Sequence, residues 1–86
     1  MNHSKVSRLF TGSYSTGQHC ELAQSVTGEW YLREHGYNGY GMGWSKWMPY
    51  AQEVVVNDGF IEWGFSSLHE FTDTKVINRM RLPVAA

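Results

Sequence analysis

Apolar and polar residues alternate over short stretches of the chain, and glycines or other turn residues separate these stretches. Short alternating stretches are typical of antiparallel strands and leave little room for long helices. We expect strands over residues 5–11, 19–26, 29–35 and 42–50. The pattern predicts a mainly β fold (β-rich α+β) with a single antiparallel sheet, strongly twisted or half-rolled, of five to six strands, and with one short helix near the C-terminus.

The clearest hairpin signal is the stretch "EVVVNDGFIEWGF", residues 53–65. Asn57, Asp58 and Gly59 tolerate positive φ angles and separate two runs that are rich in β-branched and aromatic residues. This arrangement predicts two strands joined by a tight turn.

The C-terminal part of the chain contains the one helix signal. Ser67 and Glu70 have the spacing of a capping box, in which the two side chains satisfy backbone N–H groups at the start of a helix. We therefore expect the short helix to begin near Ser67. Residues 74–82 either continue this helix or form an edge strand, and the β-branched residues Val76 and Ile77 favour the strand.

Alternation divides the aromatic residues between the two faces of the predicted sheet. Trp30 and Leu32 share one face, and Tyr31 lies on the other. Trp44 and Trp47 are three positions apart, so in a regular strand they point to opposite faces, with Trp44 beside Trp30 and Trp47 beside Tyr31. One short helix covers one face of a sheet well and hardly two. We therefore expect part of this aromatic surface to be exposed or covered by a partner.

The length of 86 residues predicts one small domain over residues 1–86, whose ends at 1–4 and 83–86 we expect to fray. Cys20 is the single cysteine, which rules out an internal disulfide and fits a reducing cytoplasm. No apolar run follows the basic residues near the N-terminus, and no stretch is long enough to cross a bilayer. The sequence therefore predicts a cytoplasmic protein without a membrane partner.

Residues 35–50, "HGYNGYGMGWSKWMPY", combine glycines with aromatic side chains. Ten of the thirteen aromatic residues lie between Trp30 and Phe65. The glycines lack the G-x-G-x-x-G spacing of a dinucleotide-binding loop, and no Gly-Lys-Ser/Thr sequence that would cradle a phosphate occurs. We interpret the segment as a wide hairpin, and its tyrosine and glycine content is also typical of binding loops.

The stretch "WSKWM", residues 44–48, resembles at four positions the WSxWS box of the fibronectin-type modules of cytokine receptors. In that family, cationic side chains stack between the two tryptophans. Met48 stands where the family has serine, and the flanking chain lacks the pattern of a sandwich, so the likeness implies no membership of the family. Stacking of Lys46 or Arg33 on a tryptophan would still contribute on the order of 0.5–1 kcal/mol.

No catalytic or metal-binding motif occurs in the sequence. The four histidines lie far apart without the spacing of metal ligands, and the side chains of His19 and Cys20 diverge because they are adjacent in a strand. Alternation places Cys20 with Leu22 and Val26, which indicates a core residue rather than a nucleophile. We predict no enzymatic activity, no catalytic residue, no metal ion and no cofactor.

A small domain without enzyme motifs but with a concentrated aromatic segment is best interpreted as a non-catalytic module that docks on a partner protein. The predicted partner-binding residues are the anchors Tyr31, Tyr37, Tyr40 and Trp47, with Arg33 and Lys46 as their charged surround. Phage- or mobile-element-encoded inhibitors, anti-CRISPR proteins among them, share this size and the lack of enzyme motifs. An inhibitor of a host machine is therefore one form that such docking would take.

Two other ligands and one other partner also fit these residues. Arg33, Lys46, Arg79 and Arg81, interleaved with aromatic rings, suit a single-stranded nucleic acid, although the net charge of −1 weakens this alternative. Flat tyrosine and tryptophan rings suit a carbohydrate. A homodimer would cover the second face of the sheet.

Overall fold

Eight strands and one short helix account for the regular structure of the chain where it is described. The computed structural model describes residues 3–37, 41–63 and 66–83. The elements in chain order are β1 (His3–Tyr14), β2 (His19–Ser25), β3 (Trp30–Tyr37), β4 (Met42–Trp44), β5 (Met48–Tyr50), β6 (Phe60–Trp63), β7 (Ser66–Phe71), α1 (Thr74–Arg79) and β8 (Arg81–Pro83).

One antiparallel sheet contains these strands in the order β4-β3-β2-β1-β7-β6, while β5 also pairs with β3 and β8 pairs with the N-terminal end of β1. The predicted mainly β fold, with one antiparallel sheet and one short C-terminal helix, is confirmed. The strand count exceeds the predicted five to six. Residues 45–47 divide the predicted strand 42–50 into β4 and β5, β7 stands where the helix was predicted, and β8 follows the helix, while the strand predicted before the turn at Asp58 does not form.

Both faces of the sheet carry a buried core cluster. The face on which α1 packs, here called the helix face, carries Val6, Leu9, Ala23, Tyr31, Ile77 and Leu82. The opposite face, here called the crossover face, carries Phe10, Cys20, Leu22, Ile61 and Leu68. The register explains this division, because Leu9 lies opposite Ala23 and Phe10 lies opposite Leu22, and successive strand residues point to opposite faces.

An irregular connection covers the crossover face. Residues 51–59 join β5 to β6, although β5 pairs with β3 and β6 pairs with β7, so the connection must cross the sheet between them. Val54 and Val56 are half-buried and pack on the crossover-face cluster, while Val55 is 58% exposed. The expectation that so small a domain hardly covers a second face is therefore wrong for the crossover face.

The predicted tight turn is confirmed, but only one of its two predicted strands forms. Asn57 and Phe60 exchange backbone hydrogen bonds of 2.8 and 2.9 Å, and both residues between them have positive φ angles, 52° at Asp58 and 76° at Gly59. Phe60 begins β6, whereas residues 53–56 belong to the crossing connection. The alternation of the three valines buries two of them without strand pairing.

The predicted position of the helix is wrong. Ser66–Phe71 is strand β7, because it pairs with β1 on one side and with β6 on the other. The helix is α1, where the carboxylate of Asp73 accepts a hydrogen bond of 3.0 Å from the backbone N–H of Lys75. Burial of Ile77 in the helix-face cluster outweighs its β preference. Of the strand predicted over 74–82, only the C-terminal end is observed, as part of β8.

The ends of the described chain pair with each other. His3 and Ser4 in β1 lie opposite Pro83 and Leu82 in β8. The remaining residues at which we expected fraying, 1–2 and 84–86, lie outside the described ranges.

Candidate functional site

The helix covers only part of its face, and a polar half remains open beside it. Next to the apolar row that contains Leu9 and Ala23, the register places Thr11 opposite Glu21 and Glu21 opposite Arg33. The side chains of this open half come from four strands: Thr11 and Ser13 from β1, His19 and Glu21 from β2, Arg33 and His35 from β3, and His69 from β7. Antiparallel pairing thus gathers polar groups that are scattered along the sequence.

Arg33 lies between the rings of Trp44 and Trp47. The guanidinium carbon is 4.7 Å from the ring centroid of Trp44 and 4.5 Å from that of Trp47. Both distances fall within the range of cation–π attraction. The expectation that a cationic side chain stacks on a tryptophan is confirmed for Arg33, and the geometry supplies two rings rather than one. We call this arrangement the Trp–Arg–Trp stack.

Glu21 holds the guanidinium in the stack. The Nε atom of Arg33 donates to Oε1 of Glu21 at 2.7 Å, and Nη2 lies 2.5 Å from the same oxygen. The side chains of Arg33 and Glu21 are 24% and 12% exposed, so water screens this pair less than it screens a pair on an open surface. The carboxylate balances the charge of Arg33, and the stack presents aromatic rings around a neutral ion pair.

A local departure from strand geometry brings the two tryptophans together. Ser45 donates its backbone N–H to the carbonyl of Glu34 at 2.8 Å, and its hydroxyl accepts the N–H of Glu34 at 3.0 Å. Residues 45–47 do not continue the strand, so alternation is lost between Trp44 and Trp47. The predicted opposite directions of these side chains, with Trp44 beside Trp30, are therefore wrong. Trp47 does pack against the cluster that contains Tyr31, as expected.

Exposed apolar side chains lie beside the stack at the edge of the sheet. Tyr37 and Met42 lie opposite each other on β3 and β4 and are 77% and 70% exposed, while Trp44 is 36% exposed. Lys46 is also exposed. Clustered exposed apolar residues of this kind mark interaction sites. We call the surface formed by Tyr37, Met42, Trp44, Lys46 and Trp47 the aromatic edge.

The rings of two histidines continue the row beyond Trp44. His35 lies edge-on to Trp44 with ring centroids 5.2 Å apart, and His19 lies 6.5 Å beyond His35. The row from Trp47 to His19 crosses from the sheet edge toward the middle of the open half. The aromatic edge and the polar open half are therefore continuous.

Five of the six predicted site residues lie in the described ranges. Tyr37 and Lys46 are exposed, Trp47 is half-buried, and Arg33 is held in the stack rather than forming a free charged surround. Tyr31 is only 6% exposed, so its prediction as an exposed anchor is wrong, because it packs in the helix-face cluster, against which Trp47 packs as well. Tyr40 lies outside the described residues.

Sequence reasoning missed three contributors: Glu21, Met42 and Trp44. The signal for Glu21 was its charge opposite Arg33 on paired strands, which only the register reveals. Trp44 lies on the face opposite to the predicted one because residues 45–47 interrupt the strand, which alternation alone does not reveal. Nothing in the sequence singles out Met42, which lies opposite Tyr37 at the open end of β3.

The buried thiol of Cys20 belongs to the crossover-face core. Burial raises its pKa to about 11, and the negative charges of Glu34 and Glu21 act in the same direction. Tyr14 donates to Glu34 at 2.6 Å, and burial together with this carboxylate also raises the pKa of Tyr14. A thiol in this environment stays protonated at neutral pH, whereas nucleophilic cysteines need a lowered pKa.

No group of three or more His, Cys, Asp or Glu side chains within the described ranges is arranged to hold a metal ion. Within the same ranges, no helix has the length and apolar character needed to cross a membrane. No protein-family model, no curated protein and no solved structure matches this chain.

Proposed function

We propose that the protein is a non-catalytic module that docks on another protein through the aromatic edge. The observation that carries this proposal is the exposure of Tyr37, Met42 and Trp44 side by side at one edge of the sheet, at 77%, 70% and 36%. Burial of a large apolar side chain stabilises a folded protein by about 1.5–3 kcal/mol, and an exposed side chain does not contribute this free energy. Association with a partner removes this surface from water.

The Trp–Arg–Trp stack supports the same proposal because it fixes the surface in advance. Arg33 contacts both indoles and is itself held by Glu21. Ordering a flexible side chain at an interface costs about 0.5–1.5 kcal/mol. Side chains that are already ordered in the free protein avoid this cost. Tryptophan, tyrosine, methionine and arginine are also the residue types that are enriched at protein interfaces.

A single-stranded nucleic acid fits this surface less well than a protein does. Of the four cations named for this alternative, Arg33 is neutralised by Glu21 and Arg81 donates to the backbone carbonyls of Asn78 and Met80, which leaves Lys46 and Arg79 exposed. Two exposed cations supply few of the phosphate-neutralising groups on which nucleic-acid binding relies.

A carbohydrate also fits this surface less well. Sugars stack on the open faces of aromatic rings, but the guanidinium of Arg33 covers one face of Trp44 and one face of Trp47. The polar open half beside the stack is nevertheless suited to polar groups of a protein partner, since Thr11 and His69 lie there opposite each other.

An inhibitor of phage or mobile-element type, such as an anti-CRISPR protein that occupies the surface of a host machine, is the form of docking that we propose first. This part of the proposal rests on the size of the chain and on the lack of enzyme motifs in its sequence. A reducing cytoplasm is the location that the single free thiol of Cys20 favours.

Affinity capture from the source cell tests the proposal. The wild type is compared with the double variant Tyr37→Ala/Lys46→Ala, which removes exposed groups of the aromatic edge, and with Val26→Ala, whose side chain is 59% exposed in the turn after β2. We expect the wild type and Val26→Ala to capture the same protein and the double variant to lose it, with equal melting temperatures for all three. Equal capture by the double variant would refute docking through this surface. Capture of nucleic acid that falls steeply with salt would favour the nucleic-acid alternative instead.

A further inference from the structure

The two outer edges of the sheet differ in how they are protected against pairing with another chain. At the β6 edge, Asn57 is bonded to Phe60, and Glu62 places a carboxylate on the strand. At the opposite edge, β4 consists of Met42, Gly43 and Trp44 and carries no charge. Charged side chains on edge strands are the usual protection against unwanted strand pairing. Within β4 itself this protection is missing, because the charge on this side of the sheet, Lys46, and the proline of β5, Pro49, both lie beyond the strand.

The backbone of β4 is oriented for pairing on its outer side. Ser45 donates its N–H to the carbonyl of Glu34 on β3. In an antiparallel pair, alternate residues direct their N–H and C=O groups toward the neighbouring strand. Gly43, two residues before Ser45, therefore bonds toward β3, whereas Met42 and Trp44 direct their backbone groups away from β3, toward the open edge.

We propose that β4 pairs with β4 of a second copy of this chain, antiparallel and around a two-fold axis at Gly43. Met42 then lies opposite Trp44 of the second copy in a hydrogen-bonded pair, and Trp44 lies opposite Met42 of that copy. Gly43 lies opposite its own counterpart in a non-hydrogen-bonded pair, where strands come closest and the absence of a side chain suits the approach. The outward direction of the Met42 and Trp44 backbone groups is the one that this register requires.

The side chains match in this register as well as the backbone. Met42 and Trp44 lie on the same face of β4, and the sulfur of methionine makes favourable contacts with aromatic rings. The strand carries no charge, so the symmetric pair brings no like charges together. The exposed side chains at 70% and 36% thereby cover one another.

Pairing of this kind goes beyond the proposed function and does not depend on it. It joins two sheets into one continuous sheet and places two Trp–Arg–Trp stacks on the same face, on either side of the axis. Tyr37, Lys46 and Trp47 do not take part in the strand pairing. The dimer therefore covers Met42 and Trp44 of the aromatic edge and leaves Tyr37, Lys46 and Trp47 of both copies available for docking.

Sedimentation equilibrium over a range of protein concentrations tests whether this dimer forms. The wild type is compared with Met42→Glu and with the matched control Val26→Glu, which adds the same charge at a similarly exposed site. Val26 follows β2 at the end of the sheet away from β4. We expect a reversible dimer for the wild type and for Val26→Glu, and a dissociation constant at least about tenfold higher for Met42→Glu. A wild type that stays monomeric at high concentration, or a Met42→Glu variant that dimerises like the wild type, would overturn the proposal.

Disulfide trapping tests the register. The counterpart residues at Gly43 lie about 4.5 Å apart between Cα atoms in this register, within the span of a disulfide. Met42 lies opposite Trp44 of the second copy, so Met42 of that copy is two residues further along the strand. The Cα atoms of the two Met42 residues are therefore separated by more than the roughly 7 Å that a disulfide can span. We expect Gly43→Cys to form a covalent dimer under mild oxidation and Met42→Cys to form little, while the buried Cys20 stays unreactive in both. Equal trapping of the two variants, or none of Gly43→Cys, would refute pairing at this register.

The two proposals fail separately. A monomeric wild type that still loses its captured partner in the Tyr37→Ala/Lys46→Ala variant would overturn the strand pairing and leave the docking proposal standing. A wild type that dimerises but captures no partner through Tyr37 and Lys46 would overturn the docking proposal and leave the strand pairing standing.

Discussion

Arg33 determines the character of the surface around it because its charge is balanced from within the fold. Its guanidinium contacts two indoles and a carboxylate. An arginine that is free on a surface would attract phosphate, but one held between Trp44 and Trp47 stiffens an apolar surface instead. The sequence predicted that a cationic side chain stacks on a tryptophan. It did not predict that two tryptophans flank Arg33, because their common direction depends on the irregular residues that begin at Ser45.

The stack should contribute to stability through coupled contacts. We expect Arg33→Met, which keeps an unbranched side chain between the rings, to lower the free energy of unfolding by about 1–3 kcal/mol, because it leaves the shielded carboxylate of Glu21 unpaired. Glu21→Gln should cost less in the Arg33→Met background than in the wild type. Urea denaturation of the four proteins measures this coupling. Additivity of the two substitutions within about 0.5 kcal/mol would contradict the stack as described.

Cys20 should make the protein less stable at alkaline pH. Its folded pKa of about 11 exceeds the ordinary value of an unfolded cysteine, about 8.5. A group whose pKa is raised by folding stabilises the folded state fully below the unfolded pKa and loses this effect as the pH approaches the folded pKa. We therefore expect the free energy of unfolding to fall between about pH 8.5 and pH 11. Tyr14, whose pKa is also raised, contributes in the same direction.

Denaturant unfolding of the wild type and Cys20→Ala across this pH range tests the assignment. The variant lacks the titrating thiol, so its stability should fall less steeply with pH, with the Tyr14 contribution remaining. Identical slopes for the two proteins would show that the Cys20 thiol is not shielded as described.

At the scale of the elements, alternation located the strands better than the helix. The strands over 19–26 and 29–35 lie close to β2 and β3, and the turn at Asp58 and Gly59 is where its residue types predicted it. Alternation and turn residue types depend on neighbouring positions only, so they predict local structure without knowledge of the tertiary contacts. The capping-box residues from Ser67 onward instead pair with β1 and β6, so contacts distant in sequence decide their conformation. The residue that does cap the helix is Asp73. The β-branched residues Val76 and Ile77 that follow it favour a strand, so the sequence pattern did not predict a helix there.

The close approach of β1 and β7 depends on Gly12. A Cβ atom at this position would meet the backbone carbonyl oxygen of Ser67 and lie 2.9 Å from a methyl carbon of Leu68. At Gly36, by contrast, the nearest atom is the flexible end of Gln18 at 3.4 Å. We expect Gly12→Ala to destabilise the protein by about 1–3 kcal/mol and Gly36→Ala to have little effect. Thermal unfolding of both variants measures this difference, and equal melting temperatures would contradict the strand packing.

At the scale of the whole molecule, the chain covers its two sheet faces by different means. A helix of six residues covers part of one face, and the irregular residues 51–59 cross the other. The sequence predicted the sheet and its aromatic content but not this crossing, because Val54 and Val56 look like strand residues whether or not they pair. The open area is consequently half of one face and one edge, rather than a whole face.

If the aromatic edge meets a partner protein, as we propose, its rings lose contact with water in the complex. Hydroxyl-radical footprinting of the protein alone and in the captured complex measures this loss, since tyrosine and tryptophan report solvent contact at each position. We predict that the complex protects Tyr37 and Trp47, while Phe60, 41% exposed at the other edge of the sheet, reacts equally in both states. Protection of Phe60 with unchanged reactivity at Tyr37 and Trp47 would contradict the proposal.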